Sequence, residues 1–282
     1  MTVTETRTRE RLNPRVFVCE HNRWVWLFPF LLDIVNAISF AGYPLAAMHF
    51  GATPFQLGLL GCMTTITFVL ACLTIGDVSD RWGRRRALFV GVWGYALSFA
   101  VAGCVHSVAG LLLAASLLGI GGGFLWPTLE AAVGDAFGHG PLGRGLLLFN
   151  IGWTTGMTLG AWGGGRLSDV GLHFPFYAGL AITLFTLLLM CFWEPVKPED
   201  VSADTTAALT TVPETAEHFL LLARIGNCFG FFGVAILRAL FAPVGAQLHF
   251  SGSLIGALIA LITLGQAAAF VPLARSQRWQ YR

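Results

Sequence analysis

Apolar residues run along this chain in stretches of about twenty, and polar residues are confined to the short interruptions between them. The stretches cover residues 24–46, 55–75, 86–105, 108–130, 145–166, 172–193, 221–246 and 253–274. None alternates apolar and polar positions at the period of two that a half-buried strand needs. Each is long enough to cross about 30 Å of hydrocarbon as a helix. Where no water pairs backbone amides, a spanning segment is a helix or part of a closed barrel, and unbroken apolar runs select helices. The breaks carry turn-forming residues: Gly51 to Pro54, His106-Ser107, Gly138 to Gly145 and Ser168 to His173. The one long polar stretch, 194–217, is rich in Pro, Thr, Ala and acid and reads as a linker. The expected fold class is an all-α integral membrane protein with eight spans. Segment 1–23 precedes a six-helix unit over 24–193, and 218–282 carries two more helices after the linker.

Composition agrees. With 55% hydrophobic and 11% charged residues and a mean hydropathy of +0.70, a soluble globular domain is excluded. The first 23 residues are polar, without the apolar core of a cleavable signal, and Glu5, Glu10 and Glu20 argue against a transit peptide. Cysteines 19, 62, 72, 104, 191 and 228 are scattered without a CxxC pair and read as small core hydrophobes. No metal, nucleotide or nucleophile motif is found, so neither an enzyme, a cofactor nor a nucleic-acid partner is expected.

Charge placement adds an orientation. Of 17 lysines and arginines, all but Arg166 and Arg238 fall on one face when the N-terminus is placed in the cytoplasm. Excess positive charge marks the cytoplasmic side, so both ends of the chain are expected inside. A single lysine, Lys197, among so many arginines hints at a GC-rich bacterial gene, and hence a plasma membrane.

Residues 76–86 read Gly-Asp-Val-Ser-Asp-Arg-Trp-Gly-Arg-Arg-Arg, a charged knot between two apolar runs. Arginines alone would hold a loop at anionic headgroups, but they explain neither the glycines nor the acids. The spacing G-x-x-x-D-R-x-G-R-R resembles the signature between the second and third helices of major facilitator superfamily transporters. The resemblance implies a gating motif made of Gly76, Asp80, Arg81, Gly83, Arg84 and Arg85. It also implies a partner acid at the inner end of the fourth helix, where Asp135 stands, and a second partner on an eleventh helix. Pairing of Asp135 with Arg81 or Arg84 is expected. An internal repeat fits the two similar halves of that superfamily: Ala47-Met48-His49-Phe50 is echoed by Gln247-Leu248-His249-Phe250, and Ser79-Asp80-Arg81-Trp82 by Ser276-Gln277-Arg278-Trp279. The first half is then complete, and the second is represented by two helices.

The fifth span carries Gly152, Gly156, Gly160 and Gly164 at four-residue spacing, a small-residue groove for close helix packing. Gly252, Gly256 and Ala260 of the eighth span offer a complementary face. Gly160 to Gly165 resembles the antiporter motif G-P-x-x-G-G of the same superfamily, with Ala161 where proline belongs. Ala115 likewise stands where drug antiporters carry an arginine.

Ionisable groups inside spans are costly and mark function by default. Asp33 lies mid-span, with Asn36, Phe40 and Tyr43 continuing its stripe; Arg238 lies in the seventh span, and Trp126 in a Gly- and Pro-rich fourth span. Because the first, fourth and seventh helices line the cavity in this superfamily, Asp33, Asn36, Tyr43, Trp126 and Arg238 are the candidate substrate or coupling pathway. In one reading Asp33 takes a proton or cation, and Arg238 binds an anionic group or pairs with Asp33. In the other, both only fix packing. His49, His106, His173 and His249 fall at outer helix ends in separate loops and read as interfacial. Two functions follow: a small-solute transporter working by alternating access, driven by a proton or ion, or a shortened scaffold inactive on its own. The expected partners are the bilayer, the solute, and a second copy or a separately encoded remainder of the second half.

Overall fold

The computed structural model describes residues 23–137, 142–193 and 214–275, and every element among them is a helix. In chain order these are α1 (Arg23–His49), α2 (Pro54–Trp82), α3 (Arg84–Cys104), α4 (Val108–Phe137), α5 (Leu142–Val170), α6 (Phe174–Cys191), α7 (Glu214–Gln247) and α8 (Gly252–Arg275). Six of them (α1, α2, α3, α4, α6 and α7) are long and apolar enough to cross a membrane, and α8 contributes a shorter apolar stretch, Gly252–Ala268, among the described residues. Residues 1–22 and most of the stretch read as a linker, 194–213, lie outside the described residues. Glu214 to Glu217, read as linker, are already helical.

The charged knot is not a loop. α2 continues through it to Trp82, and α3 begins at Arg84. Gly83 alone makes the turn, at φ +88°, a backbone angle that residues with a Cβ rarely adopt. At the other end of α2, Thr53 and Gln56 form a reciprocal capping box, with Pro54 in the first turn, where no amide hydrogen is needed. The end of the bundle bearing Gly83 is called the arginine face below; the turns joining α1–α2, α3–α4, α5–α6 and α7–α8 make the far face.

Helix α1 is the centre. Phe28, Leu32, Val35, Ile38 and Tyr43 are buried in one core with Leu88, Tyr95 and Phe99 of α3, Leu111 and Leu125 of α4, and Phe176 and Met190 of α6. A second cluster joins Ala37 of α1, Met157 and Ala161 of α5, Ala242 of α7, and Ile255, Ile259 and Ala260 of α8. Large apolar side chains such as Leu70, Leu73, Phe229 and Phe232 stay exposed, as a bilayer permits. The same reasoning corrects the expectation for the cysteines. Cys62, Cys104, Cys191 and Cys228 are exposed and Cys72 is half-buried, because an apolar solvent does not drive small apolar groups inward.

Glycine sets the helix spacings. Cβ atoms on Gly152, Gly156 and Gly160 would run into the carbonyl oxygens of Trp26, Phe30 and Ile34, and one on Gly164 would come within 2.9 Å of the Ile38 Cα. The four-residue steps on α5 thus match four-residue steps on α1, and the helices lie parallel in register. Gly165 meets Gly252 and Gly256 of α8 on another side of α5. The glycines of α4 are used the same way: Gly119 and Gly123 face α2, and Gly121 faces Gly91 and Gly94 of α3. The backbone that these glycines expose is covered by the neighbouring helices. α4 itself runs through Pro127 to Phe137.

Candidate functional site

A cavity of about 230 Å³ opens between α1, α2, α4 and α7. Its α1 wall is Asn36, Phe40 and Tyr43, read from the sequence as one stripe, together with Ser39 and Pro44; Leu57, Leu60, Thr64 and Thr65 of α2, Ala115 of α4 and Ala235 of α7 stand around it. Ser39 donates to the Asn36 carbonyl, Thr64 to the Leu60 carbonyl and Thr65 to the Gly61 carbonyl. With their hydrogens committed to backbone, these hydroxyls are left with acceptor capacity. Ser98 donates to the Ala114 carbonyl at 2.6 Å, so the 2.7 Å contact between Tyr43 and Ser98 has the tyrosine as donor. Tyr43 therefore offers its ring, packed against Phe99 and Phe176, rather than its hydroxyl.

Asp33 is fully buried behind this wall and does not line it. Asn36 Nδ2 reaches Asp33 Oδ1 at 3.4 Å, which links the carboxylate to a cavity residue. Tyr95, which sequence reasoning missed, lies within range of the Asp33 charge and accepts a hydrogen bond from Trp126 Nε1 at 3.3 Å. Trp126 packs on Phe149 and is not among the residues that line this cavity. Helix α7 carries Arg238 one turn beyond Ala235, and the Arg238 side chain lies outside the described residues. Ser39, Thr64 and Thr65 were missed as well; two threonines at one depth of an apolar span were the available signal.

On the arginine face, Arg84 Nε meets Asp135 Oδ2 at 3.1 Å, and Arg84 Nη1 donates to Ser79 Oγ at 2.9 Å. Arg85 caps the end of α6 by donating to the Cys191 carbonyl at 2.7 Å and the Met190 carbonyl at 3.3 Å, with Phe89 under its guanidinium. Arg81 is exposed. The surroundings of Gly76 and the side chain of Asp80 lie outside the described residues. The Arg84–Asp135 side chains are about a quarter exposed (28% and 25%), so solvent screens the pair and its coupling is expected to be about 1 kcal/mol or less. Thermal unfolding of Arg84→Asp, Asp135→Arg and the double exchange should show each single variant destabilised and the double variant partly restored. Strict additivity would exclude the pair as an energetic contact.

Histidines from separate loops meet on the far face. His106 and His173 have ring centroids 5.3 Å apart, with Phe50 against His106 and Tyr177 stacked on His173. Among the described residues no group of three or more His, Cys, Asp or Glu is arranged to hold a metal.

Helices packed at glycine contacts around a cavity, with a carboxylate buried beside it, define a multi-helix membrane bundle. The chain belongs to the Major Facilitator Superfamily, whose sequence pattern matches residues 25–282. It is 24% identical over 254 residues to the uncharacterized MFS-type transporter YceJ of Bacillus subtilis (strain 168), covering 86% of this chain and 63% of that protein. It is 27% identical over 181 residues to the multidrug resistance protein MdtG of Escherichia coli (strain K12 / DH10B), covering 61% and 44%. The chain thus spans less than two thirds of these relatives. The nucleoside transporter NupG shares its fold at a TM-score of 0.64 and 13% identity, over 91% of this chain and 67% of that one. A D-xylose-proton symporter does so at 0.55 and 15%, over 85% and 66%.

Proposed function

We propose that this chain forms the cavity-bearing part of a plasma-membrane transporter that moves a small, uncharged, amphipathic solute by alternating access. In this reading α1–α6 are one half, α7 and α8 belong to the other, and the arginine face is cytoplasmic. The supporting observation is the cavity itself, with Asp33 buried behind Asn36. Its described lining is largely apolar, with Phe40, Tyr43, Leu57 and Leu60, and carries the hydroxyls of Ser39, Thr64 and Thr65, the amide of Asn36 and no charged side chain. Such a wall suits a solute with hydrogen-bond donors and an apolar face, and Asp33 serves as the site of a coupling proton rather than as a substrate contact. The Arg84–Asp135 contact keeps α3 and α4 together at the cytoplasmic gate.

In a second reading the exposed side chains of α7, Phe229, Phe232 and Leu237 among them, face further helices rather than lipid. There the chain transports only together with further helices. Flux in proteoliposomes separates the two. Uptake of neutral solutes above empty vesicles, with Asn36→Leu lowering kcat/KM about tenfold, supports transport by this chain. No uptake until helices completing the second half are co-reconstituted supports the second reading. Uptake of anionic solutes alone would overturn the proposed substrate class.

A further inference from the structure

Asp169 stands in the last turn of α5, beyond the apolar span that ends at residue 166, on the far face. Its Oδ1 accepts the amide of Gly252 at 2.6 Å, and its Oδ2 accepts both the amide of Ser253, at 2.8 Å, and the Ser253 hydroxyl. Gly252 and Ser253 open α8. The first amides of a helix have no partner within it, and the helix dipole makes that end positive. A carboxylate arriving from another helix meets both needs with charge-assisted hydrogen bonds. Ser251 already caps α8 locally by accepting from the Leu254 amide at 3.2 Å, so the contact from α5 is an addition, not a requirement for starting the helix. The approach depends on missing side chains: a Cβ on Gly252 would lie 2.6 Å from the Gly165 carbonyl oxygen and 2.8 Å from Asp169 Oδ1.

We propose that Asp169 is the latch that holds the far face closed by gripping the start of α8. This rests on the alternating-access reading, in which α5 and α8 belong to different halves that part on the far face when the cavity opens there. Asp169 is a positioning residue: it touches no cavity-lining group and acts by fixing α8. The grip has backbone amides as its main donors, so it releases as a unit when the helices separate.

Arg166, on the same helix and stacked over Trp162 at 5.2 Å, is the cation facing Asp169. The first turn of α8 carries no acid, and His249 stands in the turn before it. Burial alone would raise the Asp169 pKa, but the bonds from Ser253 and Gly252 and the charge of Arg166 bring it below the ordinary carboxylate value. A depressed value means that the latch is fully set above the ordinary carboxylate pKa and is lost only as pH falls through the lowered one. Between about pH 6 and pH 8 its strength is constant.

Spin labels at Ala109→Cys and Gln247→Cys, both exposed on the far face, read the gap between the halves in the full chain with its native cysteines replaced. Wild type should show mainly a short distance. Asp169→Ala should raise the ratio of long to short populations about tenfold, Asp169→Asn less, and Ser253→Ala least. Ser253→Ala leaves both amide contacts in place, so the test stands even where Asp169→Ala fails to fold; thermal unfolding identifies that case. Unchanged distances in all three variants overturn the latch. A shift in a protein without solute flux keeps the latch and removes the transport reading; flux without a shift does the reverse.

Discussion

Gly156→Val is expected to prevent the packed bundle from forming. A Cβ at Gly156 would overlap the Phe30 carbonyl oxygen and crowd the Phe30 Cα at 3.0 Å, and these are backbone atoms of the most buried helix. A flexible side chain could swing away; a helix backbone has to move as a body, and α1 is locked to α5 at Gly152, Gly160 and Gly164 as well. Overpacking costs about 1–3 kcal/mol where side chains can adjust, and more where, as here, backbone has to move. Loss of the monodisperse peak in detergent, or a large fall in unfolding temperature, is the expected result. The internal control lies on the same helix: Gly163 has nothing within 4 Å of a built Cβ. Gly163→Ala should leave stability unchanged or raise it by about 0.5 kcal/mol, since alanine restricts the unfolded chain and favours helix. Equal effects at both positions would exclude the α1–α5 groove as the determinant of the bundle.

Asp33→Asn is expected to abolish concentrative uptake, by at least tenfold, while leaving or raising thermal stability. A buried carboxylate in the bilayer zone costs about 2.5–3.5 kcal/mol on insertion scales, so a residue kept only for packing gains nothing from carrying it. Asparagine retains an acceptor for Asn36 and removes the charge and the proton site. Should Asp33 serve only as half of a buried ion pair, the outcome inverts: neutralising it strands the partner charge and destabilises the protein by about 3–5 kcal/mol. Counterflow, which needs binding and rocking but no driving ion, should survive in Asp33→Asn if the carboxylate is the coupling group. A combined fall in counterflow and stability would assign Asp33 to the scaffold.

The legible and illegible parts of this protein divide by range. The stripe Asn36, Phe40, Tyr43 was readable because helical periodicity places those side chains on one face of α1 whatever surrounds it. That Thr64 and Thr65 complete the wall was not, since it depends on how deep α2 sits against α1. The glycine spacing on α5 announced a groove but not its occupant: α1 fills the Gly152 to Gly164 side, and α8 takes the side of Gly165. The knot at residues 76–86 marked the family, yet its conversion into two helix ends and a one-residue turn hangs on the positive φ of Gly83. Trp126 is a different case. Its place on a cavity-lining helix of the family did not place its side chain, which turns to Tyr95 and Phe149.

Taken by itself, the sequence determined the eight described helices and the family, because span length, breaker residues and local motifs act within one segment of chain. The tertiary structure alone decided that Asp33 sits behind the cavity wall, that His106 meets His173, and that Asp169 grips a helix 83 residues away. Those contacts follow from crossing angles and helix depths set jointly by several packed faces, and no single face encodes them.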